Sequence, residues 1–293
     1  MEAFYKIGGP EDQYIDAIFS KTCLSTDTLY KPFKEMIRRF GLVSLSNSHL
    51  NLPMWAYYGS NFSGMCLEFD TTELAIGDFQ DEDLHKVQYA KDSLPAISFT
   101  DMLSDGESSL VSRLTRKRIE WAHEQEWRYI TGNVGPRYYL DDALTKIYLG
   151  PRIDERHANA ICQIFKHRPV EILRGEIHDF ELYFHTLQQA APLESCSRIG
   201  SGVFDPDNDL HLAGEIQEFL GENYNKLLTE CGKIALRPNM ESFGGTGLST
   251  SNQQQTYVWL WTRYKLRSGR ILFHKCHFDK QFNPVPKPST AMG

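Results

Sequence analysis

The spacing of apolar and polar side chains predicts several short strands in the first two-thirds of the chain. Residues 42–46 alternate apolar and hydroxyl side chains, and Met65, Leu67 and Phe69 share one face of a second candidate strand. Three further apolar runs end at turn residues or at a break in the pattern, namely residues 126–130, 146–150 and 170–173. Each of these segments is predicted to be a strand.

Helical spacing is found in longer segments between these strands. Residues 31–40 and 108–125 are each predicted to form a helix, and Asp154 is predicted to cap another that runs to about Lys166. Strands and helices mix without a regular strand–helix–strand rhythm. The predicted fold class is therefore α+β, an irregular mixed sheet with flanking helices.

A change of pattern near residues 188–201 predicts a domain boundary. Small and polar residues interrupt the alternation there, so we expect a domain over residues 1–190 and a smaller module over residues 191–293. Within that module, residues 242–255 are rich in Gly, Ser and Gln and are predicted to form a mobile loop.

Composition is typical of a folded, soluble chain. Of 293 residues, 41% are hydrophobic and 24% are charged. The formal net charge is −7, from 31 basic and 38 acidic side chains, which excludes a global positive field that gathers nucleic acid. A local basic patch is still allowed.

Cysteine usage and the apolar runs indicate the cytoplasm. No apolar run approaches the roughly 18 residues of a membrane span, and the first residues lack the pattern of a secretion signal. The six cysteines include no Cys-x-x-Cys pair; they are Cys23, Cys66, Cys162, Cys196, Cys231 and Cys276. We expect reduced thiols, no membrane partner and a cytoplasmic protein.

Two segments resemble metal sites without the required geometry. Residues 205–209 begin like a calcium loop, but the sixth position is Leu210 where Gly is needed, and the twelfth is Ile216 where Glu is needed. His274 and His277 flank Cys276 on a predicted strand, where adjacent side chains point to opposite faces. We therefore predict no metal site.

Three segments combine residue types that carry chemistry. Ser44 and Ser46 place two hydroxyls on one face of a predicted strand, and residues 54–59 form a compact aromatic cluster. Glu124 and Glu126 place two carboxylates at the entrance of another strand. Alternatively, the serines face solvent, the aromatic rings belong to the core, and Glu126 pairs with Arg128.

These segments resemble an uncharacterised bacterial family, domain of unknown function 2971. Its motifs match residues 44–46, 54–58, 64–69, 121–128 and 147–152, and the resemblance covers about residues 1–185. Tyr57 stands where the family usually has His, and an early Phe-Asn-Asp-Pro segment is replaced around residues 28–33. The family implies no settled activity.

The chain also resembles the arginine-type mono-ADP-ribosyltransferases, in which a Ser-x-Ser strand precedes a Glu-x-Glu strand. The resemblance implies that NAD is the cofactor, consumed as a substrate, with Glu126 as the catalytic carboxylate and Glu124 on the acceptor side. A carboxylate stabilises the positive charge that develops when the nicotinamide–ribose bond breaks, and a second one accepts the proton of the nucleophile.

The resemblance implies that Ser44 and Ser46 shape the NAD pocket together with an early basic residue. The candidate residues for NAD binding are Tyr5, Lys6, Ser44, Ser46, Trp55 and Tyr58, and Arg128 is a candidate for substrate binding. Tyr5, Trp55 and Tyr58 would stack on a nicotinamide or adenine ring. The family has an early Arg or His where this chain offers Lys6 or, less suitably, Arg38.

The carboxy-terminal region is rich in rings and cations. Residues 257–279 predict a β-hairpin that turns at Ser268 and Gly269, and residues 257–280 hold six cations against the single acid Asp279, a local charge of +5. Alternation places a candidate substrate-binding set on one face, namely Trp259, Trp261, Arg263, Lys265 and Arg267. Such a face can hold a phosphate backbone and stack on a base. We favour the simpler interpretation that the tryptophans cover the core.

Three functions of different classes are therefore expected. The first is an NAD-using mono-ADP-ribosyltransferase-like toxin or anti-phage defence effector that modifies a nucleic acid or a protein, with a cognate inhibitor protein as a partner. The second is a non-catalytic module that recognises a nucleotide, nucleic acid or peptide. The third is a metal-dependent nuclease that uses Glu124, Glu126 and another acid.

Overall fold

The computed structural model describes residues 31, 35, 37–79, 83–92, 99–132, 134–250 and 255–286, and of residues 99–104 the backbone alone. The predicted NAD residues Tyr5 and Lys6 lie outside the described residues, as does Cys23.

Short strands and helices alternate irregularly along the described chain. The first half contains β1 (Gly41–Ser46), α1 (Leu52–Tyr57), β2 (Met65–Phe69), α2 (Thr71–Ile76), β3 (Leu84–Lys86), β4 (Gln88–Ala90), α3 (Phe99–Leu114), β5 (Arg116–Arg118) and β6 (Glu126–Thr131). The second half contains β7 (Leu144–Leu149), α4 (Glu155–Phe165), β8 (Glu171–His178), β9 (Glu181–Gln188), α5 (Pro206–Asp209), α6 (Ala213–Leu220), α7 (Tyr224–Leu236), β10 (Met240–Thr250), β11 (Thr256–Lys265), β12 (Ile271–Phe278) and β13 (Pro284–Val285). Short 3-10 helices lie at Ile119–Glu124, Asp141–Ala143, Leu193–Ser195 and Gly221–Asn223. The fold is α+β, as predicted.

The described residues form two compact units. The first contains residues up to Tyr57 together with Phe79–Pro136, and the second contains Tyr58–Asp78 together with the chain from Arg137 onward. The domain boundary expected near residue 190 stays a prediction.

The first unit is built on the central strand β6. Its three-stranded antiparallel sheet has the order β1–β6–β3, and a short parallel pair joins β4 to β5. The apolar end of β6 is buried: Tyr129 meets the ring of Phe79 edge to face at 5.0 Å between centroids. The polar beginning of the same strand carries Glu126 and Arg128.

The first sheet of the second unit contains a strand–helix–strand crossover. Its order is β2–β7–β8–β9, with β7 parallel to β8 and antiparallel pairs on either side. Helix α4 connects the two parallel strands and buries Ala158 against Ile147, Leu149 and Ile172 of the same core. The Asp154 carboxylate accepts the Arg156 N–H at 2.8 Å, so the predicted helix cap is confirmed.

The second sheet of this unit is an antiparallel meander in the order β10–β11–β12–β13. Helices α6 and α7 cover its inner face, and the buried side chains of that core include Ile216, Leu227, Val258, Leu260 and Tyr264. The predicted hairpin between β11 and β12 is confirmed, with Gly269 at φ +85° in its turn.

The prediction of a mobile loop over residues 242–255 is wrong for its described part, because residues 242–250 belong to β10. The glycines that suggested a loop instead make room for tryptophan rings. A Cβ atom on Gly247 would lie 2.6 Å from the Trp259 ring, and one on Gly244 would lie 3.2 Å from the Trp261 ring. A glycine-rich strand is therefore the partner that lets two large rings lie close to its backbone.

Candidate functional site

Strands β1 and β6 bring the predicted serines and carboxylates together. Their antiparallel register places Ser46 opposite Glu126 and Ser44 opposite Arg128. Directly opposed residues in such a pair present their side chains to the same face. Ser44, Ser46 and Glu126 therefore present their side chains to one face of the sheet.

The Glu126 carboxylate is the centre of the cluster. Arg128 donates two hydrogen bonds to it, from Nε to Oε1 at 2.8 Å and from Nη2 to Oε2 at 3.0 Å. The Lys117 ammonium lies 3.1 Å from Oε2, and the Ser44 side chain also hydrogen-bonds to this carboxylate. With Glu126 only 5% exposed, these donors replace the water that an ionised carboxylate requires.

The pKa of Glu126 reflects this competition between burial and donors. Burial acts to raise the pKa, but the hydrogen bonds from Arg128, Ser44 and Lys117 outweigh it and lower the pKa to about 2. Glu126 is therefore ionised throughout the neutral range.

Lys117 joins the two predicted carboxylates. Its Nζ contacts Oε2 of Glu124 as well as Oε2 of Glu126. Burial acts to lower the pKa of this ammonium, but its bonds to the two glutamates raise the pKa above its ordinary value. The position between two carboxylates that a metal ion would need is thus taken by a lysine.

Backbone groups complete the cluster. The Ser46 hydroxyl donates to the carbonyl of Glu124 at 2.8 Å, and the Tyr89 hydroxyl accepts the backbone N–H of Glu126 at 2.9 Å. Arg128 Nη1 donates to the carbonyl of Leu114 at the end of α3. The cluster therefore ties β1, β4, β5 and β6 to the end of a helix.

Sequence reasoning missed Lys117 and Tyr89. The helix predicted over residues 108–125 ends at Leu114, and the chain then forms β5 and a 3-10 helix. Thr115 donates both its N–H and its hydroxyl to the carbonyl of Val111, each at 2.9 Å, and β5 begins at the next residue. The only sequence signal for a strand here was the β-branched Thr115 followed by the three cations of residues 116–118. This segment is too short to show strand alternation.

The aromatic residues of the predicted cluster over residues 54–59 differ in exposure: Trp55 is buried, whereas Tyr57 and Tyr58 are exposed. Trp55 is 4% exposed and its indole N–H donates to the carbonyl of His49 at 2.7 Å, so its ring belongs to the interior. Its stacking role stays a prediction that needs this ring to become accessible. Tyr57 is exposed and meets the exposed Trp121 ring at 6.5 Å, and Lys117 Nζ lies 5.3 Å from the Trp121 centroid. Tyr58 is exposed and belongs to the second unit.

The carboxy-terminal tryptophans do not cover the core, so the interpretation favoured from the sequence is wrong. The inward positions of β11 are Val258, Leu260, Thr262 and Tyr264, all at most 1% exposed. Trp259, Trp261, Arg263 and Lys265 alternate with them on the outward face. The pattern was ambiguous because both sets contain large apolar side chains.

Arg267 does not belong to the outward-facing residues of β11. It lies beyond the end of β11, and its Nε donates to Asp141 Oδ1 at 3.0 Å. Asp141 is buried, and its Oδ2 also lies 3.0 Å from Arg168 Nε in an ion pair. Pairing with a buried carboxylate turns Arg267 away from the outward face of the strand.

Among the described residues, no group of three or more His, Cys, Asp or Glu side chains is arranged to hold a metal ion. Within the same part of the chain, no helix is long and apolar enough to cross a membrane. Five described cysteines are free thiols: Cys66, Cys162, Cys196, Cys231 and Cys276.

A comparison with known families finds one match. Residues 54–129 match the model of a family described as protein of unknown function (DUF2971). No curated protein and no solved structure matches this chain. The matched segment contains Lys117, Glu124, Glu126 and Arg128, while Ser44 and Ser46 lie before it. Through the segment that holds the ion-pair cluster, the chain resembles this family of unknown function.

Proposed function

We propose that the cluster around Glu126 is the site of an NAD-using mono-ADP-ribosyltransferase-like enzyme. The observation that carries the proposal is the strand register that places Ser44 and Ser46 on the same face of the sheet as the buried Glu126 carboxylate of the neighbouring strand. A serine hydroxyl there fixes the orientation of a carboxylate that faces a developing positive charge.

The reaction requires one bond to break and one to form at the same sugar carbon. The bond between C1′ of the ribose and the nicotinamide nitrogen breaks, and nicotinamide leaves with the bonding electron pair. The acceptor nucleophile forms the new bond to C1′, and its proton passes to Glu124. Glu126 stays ionised and stabilises the oxocarbenium-like sugar between these events.

Binding of NAD requires a change in the donors around Glu126. A ribose hydroxyl must take a position that Arg128 or Lys117 now holds. Lys117 keeps a second carboxylate partner in Glu124 when it leaves Glu126, whereas the other partner of Arg128 among the described residues is the uncharged carbonyl of Leu114. We therefore assign Lys117 as the donor that the ribose displaces, with its ammonium still paired to Glu124.

The exposed rings beside the cluster supply the stacking surface. Tyr57 and Trp121 are accessible, and Trp121 is already in contact with the Lys117 ammonium. The acceptor in this proposal is a nucleic acid or a protein, the biological role is that of a toxin or anti-phage effector, and a cognate inhibitor protein would accompany it.

A second candidate is a recognition module without catalysis. Both oxygens of Glu126 already have protein donors, and such a closed cluster suits a structural ion pair that holds β1, β5 and β6 together. The aromatic surface then binds a nucleotide or peptide without turnover.

The test is incubation of the purified chain with cell extract and NAD that carries a label on its adenylate phosphate. The enzyme proposal predicts labelled macromolecules and released nicotinamide in equal amounts. Ser44→Ala should lower both by about 10-fold or more, since it removes one oriented donor, while Ser112→Ala on the exposed face of α3 should lower neither. Nucleotide binding without nicotinamide release would favour the recognition module.

A further inference from the structure

The outward face of the carboxy-terminal sheet carries a continuous group of rings and cations. We call it the ring–cation face and define it by Trp259, Trp261, Arg263, Phe273 and Lys275. Register places Trp261 opposite Lys275 and Arg263 opposite Phe273, so the five side chains interleave across β11 and β12. Trp261 is 40% exposed and Phe273 is 60% exposed.

The tryptophan rings of this face pack against the backbone of β10, and Trp261 also packs against the ring of Phe273. Gly244 and Gly247 of β10 lie against Trp261 and Trp259, and a Cβ atom at either position would crowd the ring. On the other side, the Trp261 and Phe273 centroids are 5.6 Å apart. Rings that are fixed in this way lose little conformational entropy when a planar ligand stacks on them.

The cations of this face are held by rings. The Lys275 ammonium lies 4.3 Å from the Trp259 centroid, and the Arg263 guanidinium lies 5.6 Å from that of Phe273. The strands β10, β11 and β12 contain three cations and one acid, and that acid, Glu241, accepts the N–H of Ser201. A face of positive charge therefore stands out on a chain whose net charge is −7.

We propose that the ring–cation face binds single-stranded nucleic acid. Unpaired bases stack on the exposed rings, and Arg263 and Lys275 contact the phosphates. A duplex is a poor occupant, because its bases are already stacked on one another. An acidic peptide matches the charge but offers nothing for Trp261 and Phe273 to stack on. The proposal does not depend on catalysis at Glu126.

The experiment measures binding of fluorescein-labelled 15-mers of oligothymidylate and oligouridylate to the purified full chain by anisotropy. A labelled 15-base-pair duplex and a labelled polyglutamate peptide serve as comparison probes, and no NAD is present. Tight binding of either single strand, with weaker binding of duplex and peptide, is expected. A preference for oligouridylate or for oligothymidylate decides between RNA and DNA as the source.

Variants separate stacking from charge. Trp261→Ala should weaken binding by about 5-fold to 150-fold, the range for loss of one stacked base. Phe180→Ala, which removes a ring that is 92% exposed in the turn between β8 and β9, should leave binding unchanged. Lys275→Gln should reduce the slope of log Kd against log salt by about 0.7, whereas Lys233→Gln on α7 should not.

Several outcomes overturn the proposal. They are equal affinity of the Trp261→Ala and Phe180→Ala variants, duplex or polyglutamate binding as tight as that of the single strands, and no binding of either single strand. Thermal unfolding of each variant shows whether the sheet is intact; Phe273→Ala replaces Trp261→Ala if that variant is unfolded. Because the assay contains no NAD, its result is independent of whether the chain turns NAD over.

Discussion

Arg128 donates two parallel hydrogen bonds, at 2.8 and 3.0 Å, to the carboxylate of Glu126, which lies two residues earlier on the same strand. The pair lies on the face of β6 that meets Ser44 and Ser46 of β1. Such a forked contact fixes both the position and the charge of the carboxylate.

Stability should depend on pH through Glu126. The pKa of this group is about 2 in the folded chain and 4.5 is its ordinary value, so its stabilising contribution is fully present above about pH 4.5 and is lost as pH falls toward 2. Glu126→Gln lacks this contribution. We expect the unfolding free energies of wild type and variant, measured by urea titration from pH 7 to pH 2.5, to differ most at pH 7 and to converge toward pH 2.5. A constant difference over the whole range would contradict the assignment.

Replacing Lys117 should destabilise the first unit. Lys117→Met keeps an unbranched side chain that is one atom shorter, and it leaves Glu124 and Glu126 facing each other without the cation between them. Removing one partner of a buried ion pair costs about 3–5 kcal/mol, and the double variant with Glu124→Gln should recover part of that loss. Urea unfolding measures both. Lys91→Met, at an exposed position of the same unit, should change stability by less than about 0.5 kcal/mol.

Glycines of the second unit should respond in opposite directions to the same substitution. Gly247→Ala places a Cβ atom 2.6 Å from the Trp259 ring, so the ring or the strand must shift, and we expect a loss of about 1–3 kcal/mol. Gly232→Ala lies within α7 with no atom within 4 Å of the new Cβ, so we expect a gain of about 0.5–1 kcal/mol. Melting temperatures should therefore fall for the first variant and rise for the second. An unchanged melting temperature for Gly247→Ala would show that the ring of Trp259 does not pack closely on β10.

The sequence predicted features that depend on local pattern. Alternation placed Ser44 and Ser46 on one strand face, the Asp154 cap began α4, and the Ser268–Gly269 turn joined β11 to β12. Each of these follows from a few neighbouring residues, and each is present in the structure.

Features that depend on distant partners were not predictable. Nothing near residue 117 shows that it will bridge Glu124 and Glu126, because the bridge needs β5 to follow α3 immediately. Similarly, the glycines of β10 resemble a flexible linker until the rings of Trp259 and Trp261 lie against them. Which face of β11 meets α6 and α7 could not be read from alternation, since both faces carry large apolar residues.

The most direct test of the proposed enzyme is NAD turnover by the purified chain, measured as nicotinamide released per chain, for wild type, Glu126→Gln and Glu120→Gln. The last variant makes the same chemical change at an exposed glutamate of the same unit that pairs with Arg118. We predict that wild type and Glu120→Gln release nicotinamide at equal rates and that Glu126→Gln loses a factor of about 10²–10³, with a fold intact by circular dichroism at pH 7. Equal turnover by all three proteins, or no release by wild type in the presence of cell extract, would contradict the account and leave Glu126 a structural ion pair with Arg128.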